Sequence, residues 1–339
     1  MLKELSKIAD ALDERSLVLE ADFLDRIISL ASERDGDSLP VLNDEEEFNP
    51  FSHLDEFDEE EAEIDVEKDC VLTFGTANSK LSYLGTTSFS LPAGYTCPYA
   101  RICKSKVPRE GKKITDYGDI RCFQSTIELA RPSVRKSRWK NFDLVRSKSA
   151  GEITDLILKS LKYHESKVRA IKVLRVHDSG DFFNQNYFDG WLEAIRMRPD
   201  IVFYAYTKAI PLWKARKDKI PPNFKLIASE GGTNDDDIEE TFRRAVIVSG
   251  VDEAIEKQLG VDVNEFLAIF GEGDFALLLH GTQPKGQLID GRKATNVAKE
   301  NKSIIVDMAK KHKVPYHVME NLIGKITDAA KRELRRSSE

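Results

Sequence analysis

Cys97 and Cys103 stand in the stretch TCPYARICKSK, with five residues between them, directly after a Pro-Ala-Gly turn. Eighteen residues then intervene before Cys122, and the fourth and last cysteine, Cys70, stands apart. Thiolates are soft, charged donors that hold zinc and iron–sulfur clusters. Arg101, Lys104, Lys106 and Arg121 surround the three thiols, and such a basic setting favours the ligand form. The spacing is not the CxxC pair of a zinc ribbon. On residues alone, Cys97, Cys103 and Cys122 read either as metal ligands or as inert core thiols.

The stretch HDSGDFF, 177–183, is the second group with chemical capacity. Asp178 and Asp181 fit an acid/base pair, a metal pair, or caps of the next helix. His177 reads equally as a ligand-facing base or as a satisfied core histidine. Lys208 ends the run FYAYTKA, where it is placed to meet an anion. His177, Asp181 and Lys208 are therefore the catalytic candidates. EGGT, 230–233, has neither a P-loop lysine nor GxGxxG spacing, which excludes a nucleoside triphosphate site of that kind. Between 97 and 150 there are 14 Lys/Arg against 5 Asp/Glu. Arg131, Arg135, Lys136, Arg138 and Lys140 flank Trp139. A basic helix carrying an aromatic suits phosphate contact with base stacking. It equally suits a helix anchored by its aromatics and solvated by its charges.

These residues need elements to hold them. Short apolar runs begin at 87 (TSFSLPAG), 170 (AIKVLRVHDSG), 200 (DIVFYAYTKA), 224 (FKLIASEGG), 244 (RAVIVSG) and 275 (FALLLHGTQ). Between several of them lie helical stretches, including 127–147, 151–166 and 185–199. Apolar strands alternating with helices predict an α/β fold with a parallel sheet. Every polar motif follows the C-terminal end of a strand, the edge where such folds bind ligands. The polar ends do not gather at one crossing point, so a partial (β/α)6 barrel is expected rather than a doubly wound sheet.

Charge divides the chain. Residues 1–70 carry 24 Asp/Glu and 6 Lys/Arg, a balance of −18, whereas the remainder carries 34 acidic and 45 basic residues, a balance of +11. The expected organisation is a helical hairpin (1–34), an acidic disordered linker (35–69), a barrel-like core (70–300) and a C-terminal strand/helix extension (301–339). Two short helices are marginal alone, so the hairpin is expected to dock on the core or on a protein partner. The basic body predicts an anionic partner, nucleic acid or a nucleotide. There is no run of eighteen apolar residues and no signal-peptide core at the start, so no membrane span and a cytoplasmic setting are expected.

The segments SFSLPAGYTCPYARIC, RCF, RPSVRKSRWKNFDL, RVHDSGDFFNQNYFDGWLEA and FYAYTKA together resemble the phage gene-product-88 family, over roughly residues 71–285. The layout is also similar to radical S-adenosylmethionine enzymes, with cysteines after the first strand and a glycine motif after the second. That resemblance implies a [4Fe–4S] cluster on Cys97, Cys103 and Cys122, and S-adenosylmethionine beside it. Ser179, Gly180 and Asp181 would meet the cofactor's amino group, and Ser249, Gly250 and Glu253 its adenine side. It also implies the cytoplasm of a phage-infected host. The pattern departs from that layout in its cysteine spacing, in Cys122–Phe123 where the phage family has Cys-Tyr, and in having no cysteine after 122. The reading that follows is an iron–sulfur enzyme acting on a nucleotide or nucleic acid. The alternative is a non-catalytic nucleic-acid-binding protein with a structural zinc or no metal.

Overall fold

The computed structural model of the chain describes residues 70–75, 86–115, 118–263, 265–281, 283–289 and 292–311. The expected helical hairpin and acidic linker lie outside the described residues.

Alternation organises the centre of the molecule. In β3 (Val173–Ser179), β4 (Val202–Thr207) and β5 (Phe224–Ser229), successive side chains point to opposite faces. Leu174 and Val176, Phe203 and Ala205, and Phe224, Leu226 and Ala228 share one buried cluster. Two helices complete that layer, α3 (Ala150–Lys167) through Ile153, Ile157 and Leu161, and α4 (Gln185–Arg196) through Tyr187, Phe188 and Trp191. Trp191, Tyr187 and Phe89 are fully enclosed. Each such side chain contributes roughly 1.5–3 kcal/mol on leaving water. α3 begins with a capping box, in which Ser149 and Glu152 satisfy each other's backbone amides. α4 is capped by Asn184, whose Oδ1 accepts from the Tyr187 amide at 2.9 Å. Neither Asp178 nor Asp181 takes that role.

The remaining strands are β1 (Phe74–Gly75), β2 (Thr87–Ser90), β6 (Arg244–Val248), β7 (Gly260–Val261) and β8 (Phe275–Leu278). One eight-stranded sheet runs β1-β2-β3-β4-β5-β6-β8-β7. Only β1 is antiparallel to its neighbour. The six expected strands are thus all present, parallel, and adjacent in chain order. A doubly wound sheet would reverse its strand order at a central switch point, whereas here only the two-residue β7 falls out of order, at the edge beyond β8. The described sheet is open: β1 and β7 form its edges. Neither edge strand was expected, because two residues carry no readable period.

The connections hold α1 (Phe123–Ala130), α2 (Pro132–Val145), α5 (Ile210–Lys214), α6 (Val251–Glu256) and α7 (Phe266–Phe270). The single helix expected over 127–147 is two. Arg131, ahead of Pro132, is forced to extended backbone at φ −130° and ψ 92°, which ends one helix and starts the next. A small hairpin, β9 (Leu288–Ile289) with β10 (Arg292–Lys293), leads into α8 (Ala294–Lys311). That last helix runs through the boundary expected at 300/301. Asn301 donates to the carbonyls of Ser249 and Leu279, at 2.9 and 2.8 Å, which makes it part of the core.

Candidate functional site

The cysteine loop crosses the C-terminal edge of the sheet and is fastened to it at several strands. The amides of Arg101 and Ile102 donate to the Gly231 carbonyl beyond β5, at 3.1 and 3.0 Å. Gly231 has φ +94°, and a Cβ there would strike the Ile102 side chain. Beyond β8, Gln283 accepts from the Arg121 amide at 2.9 Å, and the Phe123 ring meets His280 edge-on at 5.3 Å. At β3, Gly180 has φ +86°, and a Cβ there would lie 2.5 Å from Thr96 Oγ1 and 2.7 Å from Leu91 Cβ. Glycine is thus required at two of the places where the loop touches the sheet.

Folding brings the three thiols into one neighbourhood. Cys122 stands at the N-terminal boundary of α1 without a side-chain cap, and its amide donates to Ser105 Oγ at 2.9 Å, tying it to the segment after Cys103. Cys97, Cys103 and Cys122 are half-buried free cysteines, while Cys70 is exposed. Burial first, then the charges of Asp181, Cys122 and Cys103, push the Cys97 thiol well above the ordinary range. Burial and then Cys103 push Cys122 up to about 12. Cys103 raises both Cys97 and Cys122, and Cys122 raises Cys97, so the thiols lie close together. Among the described residues, however, no three or more His, Cys, Asp or Glu groups stand in a geometry that could hold a metal ion. The donors suit iron–sulfur or zinc chemistry in kind, and their arrangement is not closed to chelating distance.

The other expected site residues divide. Asp181 lies near Cys97, as its influence on that thiol requires. Its carboxylate accepts from the Phe182 amide at 2.7 Å, Thr207 Oγ1 at 2.6 Å and the Lys208 amide at 2.8 Å. It therefore fastens the end of β3 to the end of β4. Burial pushes its pKa up to about 6, against those three donors. Lys208 is buried too, and its Nζ donates to Ser229 Oγ and to the carbonyls of Ser229 and Glu230. It stitches the ends of β4 and β5 instead of standing open to an anion.

His177 turns away from this edge. Its backbone is left-handed, φ 67°, so it follows Val176 into the helix-side layer. There its ring lies against Phe89, Phe182 and Tyr187, and Nε2 meets Tyr187 Oη at 2.9 Å. Burial and then Arg175 lower its pKa to about 3. It is a neutral core histidine, not a base at the loop.

Ser179 is buried, with Oγ 3.5 Å from Glu128 Oε1. Ser249 and Glu253 close on each other, the Glu253 carboxylate accepting from the Ser249 amide and hydroxyl at 2.7 and 2.9 Å. Gly250 is extended and open, with nothing near the position of a Cβ.

Glu128, on α1, is the buried carboxylate of this region that sequence reasoning missed. Fully buried, its Oε1 accepts from the Ala93 amide and from Arg138 Nη1, both at 2.9 Å. Its Oε2 has no partner in the protein. Burial raises its pKa, opposed chiefly by Arg138. A single glutamate on an amphipathic helix gives no sequence signal of such a post. The basic helix changes meaning with it. Arg138 is turned inward to Glu128 and Gln124, and Arg135 donates to the carbonyls of Glu128 and Arg109. Trp139 packs against Tyr95 and Phe142 beneath the Arg109 guanidinium. Lys136 is exposed, and Arg131 and Lys140 are half-buried. Two of the five cations expected to meet phosphate instead brace the cysteine loop's support.

With that geometry in place, similarity to known proteins becomes informative. The family model described as Gene product 88 matches residues 67–312. The chain belongs to the Gene product 88 family. Within it, the chain is 27% identical to the Gene 88 protein of Mycobacterium phage L5 over 143 residues, 39% of this chain and 54% of that protein. It is 28% identical to the Gene 88 protein of Mycobacterium phage D29 over 126 residues, 36% of this chain and 47% of that protein. The chain thus spans about half the length of the curated relatives it matches. No solved structure matches. No helix among the described residues is long and apolar enough to cross a membrane.

Proposed function

We propose that this Gene product 88 family member is an iron–sulfur protein whose cluster is held by Cys97, Cys103 and Cys122 over the C-terminal edge of the sheet. The observation that carries the reading is the gathering of three half-buried free thiols on a loop fastened to strand ends far apart in sequence, with Cys103 and Cys122 close enough to push the Cys97 thiol up. A soft metal would bind these thiols as thiolates, displacing their protons. Three protein thiolates also leave one iron of a [4Fe–4S] cluster open to another ligand. A bound cluster supplies an electron or an open iron site. The chain itself desolvates the thiols, holds the loop and carries two carboxylates, Glu128 and Asp181, in the same region.

S-adenosylmethionine as the open site's ligand is the finer proposal. Supporting it are six parallel strands adjacent in chain order, with the cysteine loop after the first and the glycine turn after the second. That order is also what a partial barrel requires. Against it stand Asp181 and Glu253, whose carboxylates are already engaged within the fold. Glu128 Oε2, buried and unpartnered beside Ser179, is the better candidate to meet an amino group.

The test is anaerobic reconstitution of the full chain with ferrous iron and sulfide. The proposal expects about four irons per chain, broad visible absorption and a paramagnetic signal on reduction. All three should be lost when any one of Cys97, Cys103 or Cys122 becomes serine and retained in Cys70→Ser. Release of methionine from S-adenosylmethionine under dithionite decides the finer proposal. The open geometry of the sulfurs favours a second reading, a binding protein with zinc or no metal. Colourless protein with stoichiometric zinc, or with none, would establish it.

A further inference from the structure

The face of the sheet turned away from α3 and α4 carries a polar patch that the thiol site does not use. Arg175, midway along β3, donates from Nη1 to Glu265 Oε1 at 2.7 Å and lies 3.3 Å from Asp178 Oδ1. Arg175 is in register with Tyr204 on β4. The Arg175 guanidinium lies over the Tyr206 ring at 5.2 Å, and the Tyr204 and Tyr206 rings stand 6.5 Å apart at 75°. Phe275 of β8 closes one side, 6.1 Å from Tyr206. Glu265 leads into α7, which packs on β4 and β5.

Four buried polar atoms in this patch have no hydrogen-bond partner in the protein: Arg175 Nε, Tyr204 Oη, Tyr206 Oη and Glu265 Oε2. Each such atom costs about 1–3 kcal/mol. Native folds leave few, and four in one patch need a cause. Glu265 adds strain, since it holds a left-handed φ of 65° without being glycine. Tyr204 is fully buried, and the positions around it on this face are less so. Tyr206, Ile247 and Leu277 on this face are half-buried, and the Arg175 and Glu265 side chains are 16% and 15% exposed.

The chemistry of these groups defines what would satisfy them. Arg175 Nε can only donate, the phenols can donate or accept, and Glu265 Oε2 can only accept. The walls are aromatic, and Asp178 and Glu265 outweigh Arg175 in charge. We infer that this patch is a binding site for a flat, amino-substituted heterocycle of nucleobase type. Its amino group donates to Glu265, its ring or carbonyl acceptors meet Arg175 Nε and the phenols, and its face lies against the tyrosines. Recognition at this patch needs no metal, so it stands apart from the cluster reading.

Calorimetric titration of the purified full chain with cytidine, adenosine, guanosine and uridine tests it, with and without iron. The amino-bearing nucleosides should bind, and uridine, which lacks an exocyclic amino group, should bind at least tenfold more weakly. Tyr204→Phe removes a hydroxyl that the free fold does not use. It should leave Tm unchanged or raised and lower affinity about five- to tenfold, the value of one hydrogen bond. Tyr206→Phe provides the same test at the more open position. The inference is overturned if no nucleoside binds at millimolar concentration, if uridine binds as well as cytidine, or if both variants keep full affinity. It is also overturned if both lower Tm, since the hydroxyls then serve the fold. Iron loading has no bearing on any of these outcomes.

Discussion

Replacing Asp181 by asparagine would turn one acceptor into a donor facing the Lys208 amide, the Phe182 amide or the Thr207 hydroxyl. Asp181→Asn is expected to cost about 1–3 kcal/mol at neutral pH, read from denaturant midpoints. The pH dependence should change as well. Asp181 has a pKa raised to about 6, so its contribution to stability is full in acid and is lost as pH rises through that value. His177, lowered to about 3, acts in reverse. Its contribution is full above the ordinary histidine value of about 6.5 and is lost as pH falls below it. Between about pH 4 and 6 the two slopes oppose each other, so Asp181→Asn should lose stability more steeply on acidification than the unaltered chain. Parallel pH profiles would reject the pairing. Glu128 makes the sharper case. Glu128→Ala leaves the Arg138 guanidinium buried without its carboxylate, at a cost of about 3–5 kcal/mol. A midpoint close to that of the unaltered chain would show that Arg138 can swing to solvent.

At the scale of elements, the cysteine loop depends on the turn after β3. Gly180→Ala places a methyl within 2.5 Å of Thr96 Oγ1, one residue before Cys97. The expected outcome is a loosened loop, with thiols that react faster with a disulfide reagent and a lowered Tm. Unchanged thiol kinetics would mean that other contacts alone hold the loop. Much of this level was legible in sequence. The apolar runs ending in HDSG, TKA, SEGG and HGTQ became β3, β4, β5 and β8, because buried parallel strands need continuous apolar residues. Side-chain direction was not legible. One left-handed residue sent His177 to the opposite layer, and no periodicity announces that. Pro132 did announce the break between α1 and α2, and the apolar spacing on either side concealed it. Arg175 inside AIKVLRVHD was a signal left unread, since an arginine within an apolar strand needs a buried partner.

For the whole molecule, charge and connectivity matter most. Residues 1–70 hold a balance of −18 and the rest +11, and the family match begins at 67. Deleting residues 1–65 should leave Tm nearly unchanged and strengthen binding to heparin at low salt, with the gain shrinking as salt rises. Unfolding or aggregation of the shortened chain would show instead that those residues complete the core. Connectivity has a consequence for synthesis. The bond between Arg121 and Gln283 joins parts of the chain 162 residues apart. A ribosome adding roughly 5–20 residues per second needs on the order of ten seconds or more to span that gap. For that interval Cys97, Cys103 and Cys122 are outside the ribosome without their seat, open to oxidation and to any stray metal. If these thiols take up the proposed cluster, loading would be a late, post-assembly event, and the cell's thiol poise during translation would govern how much chain arrives fit to receive it.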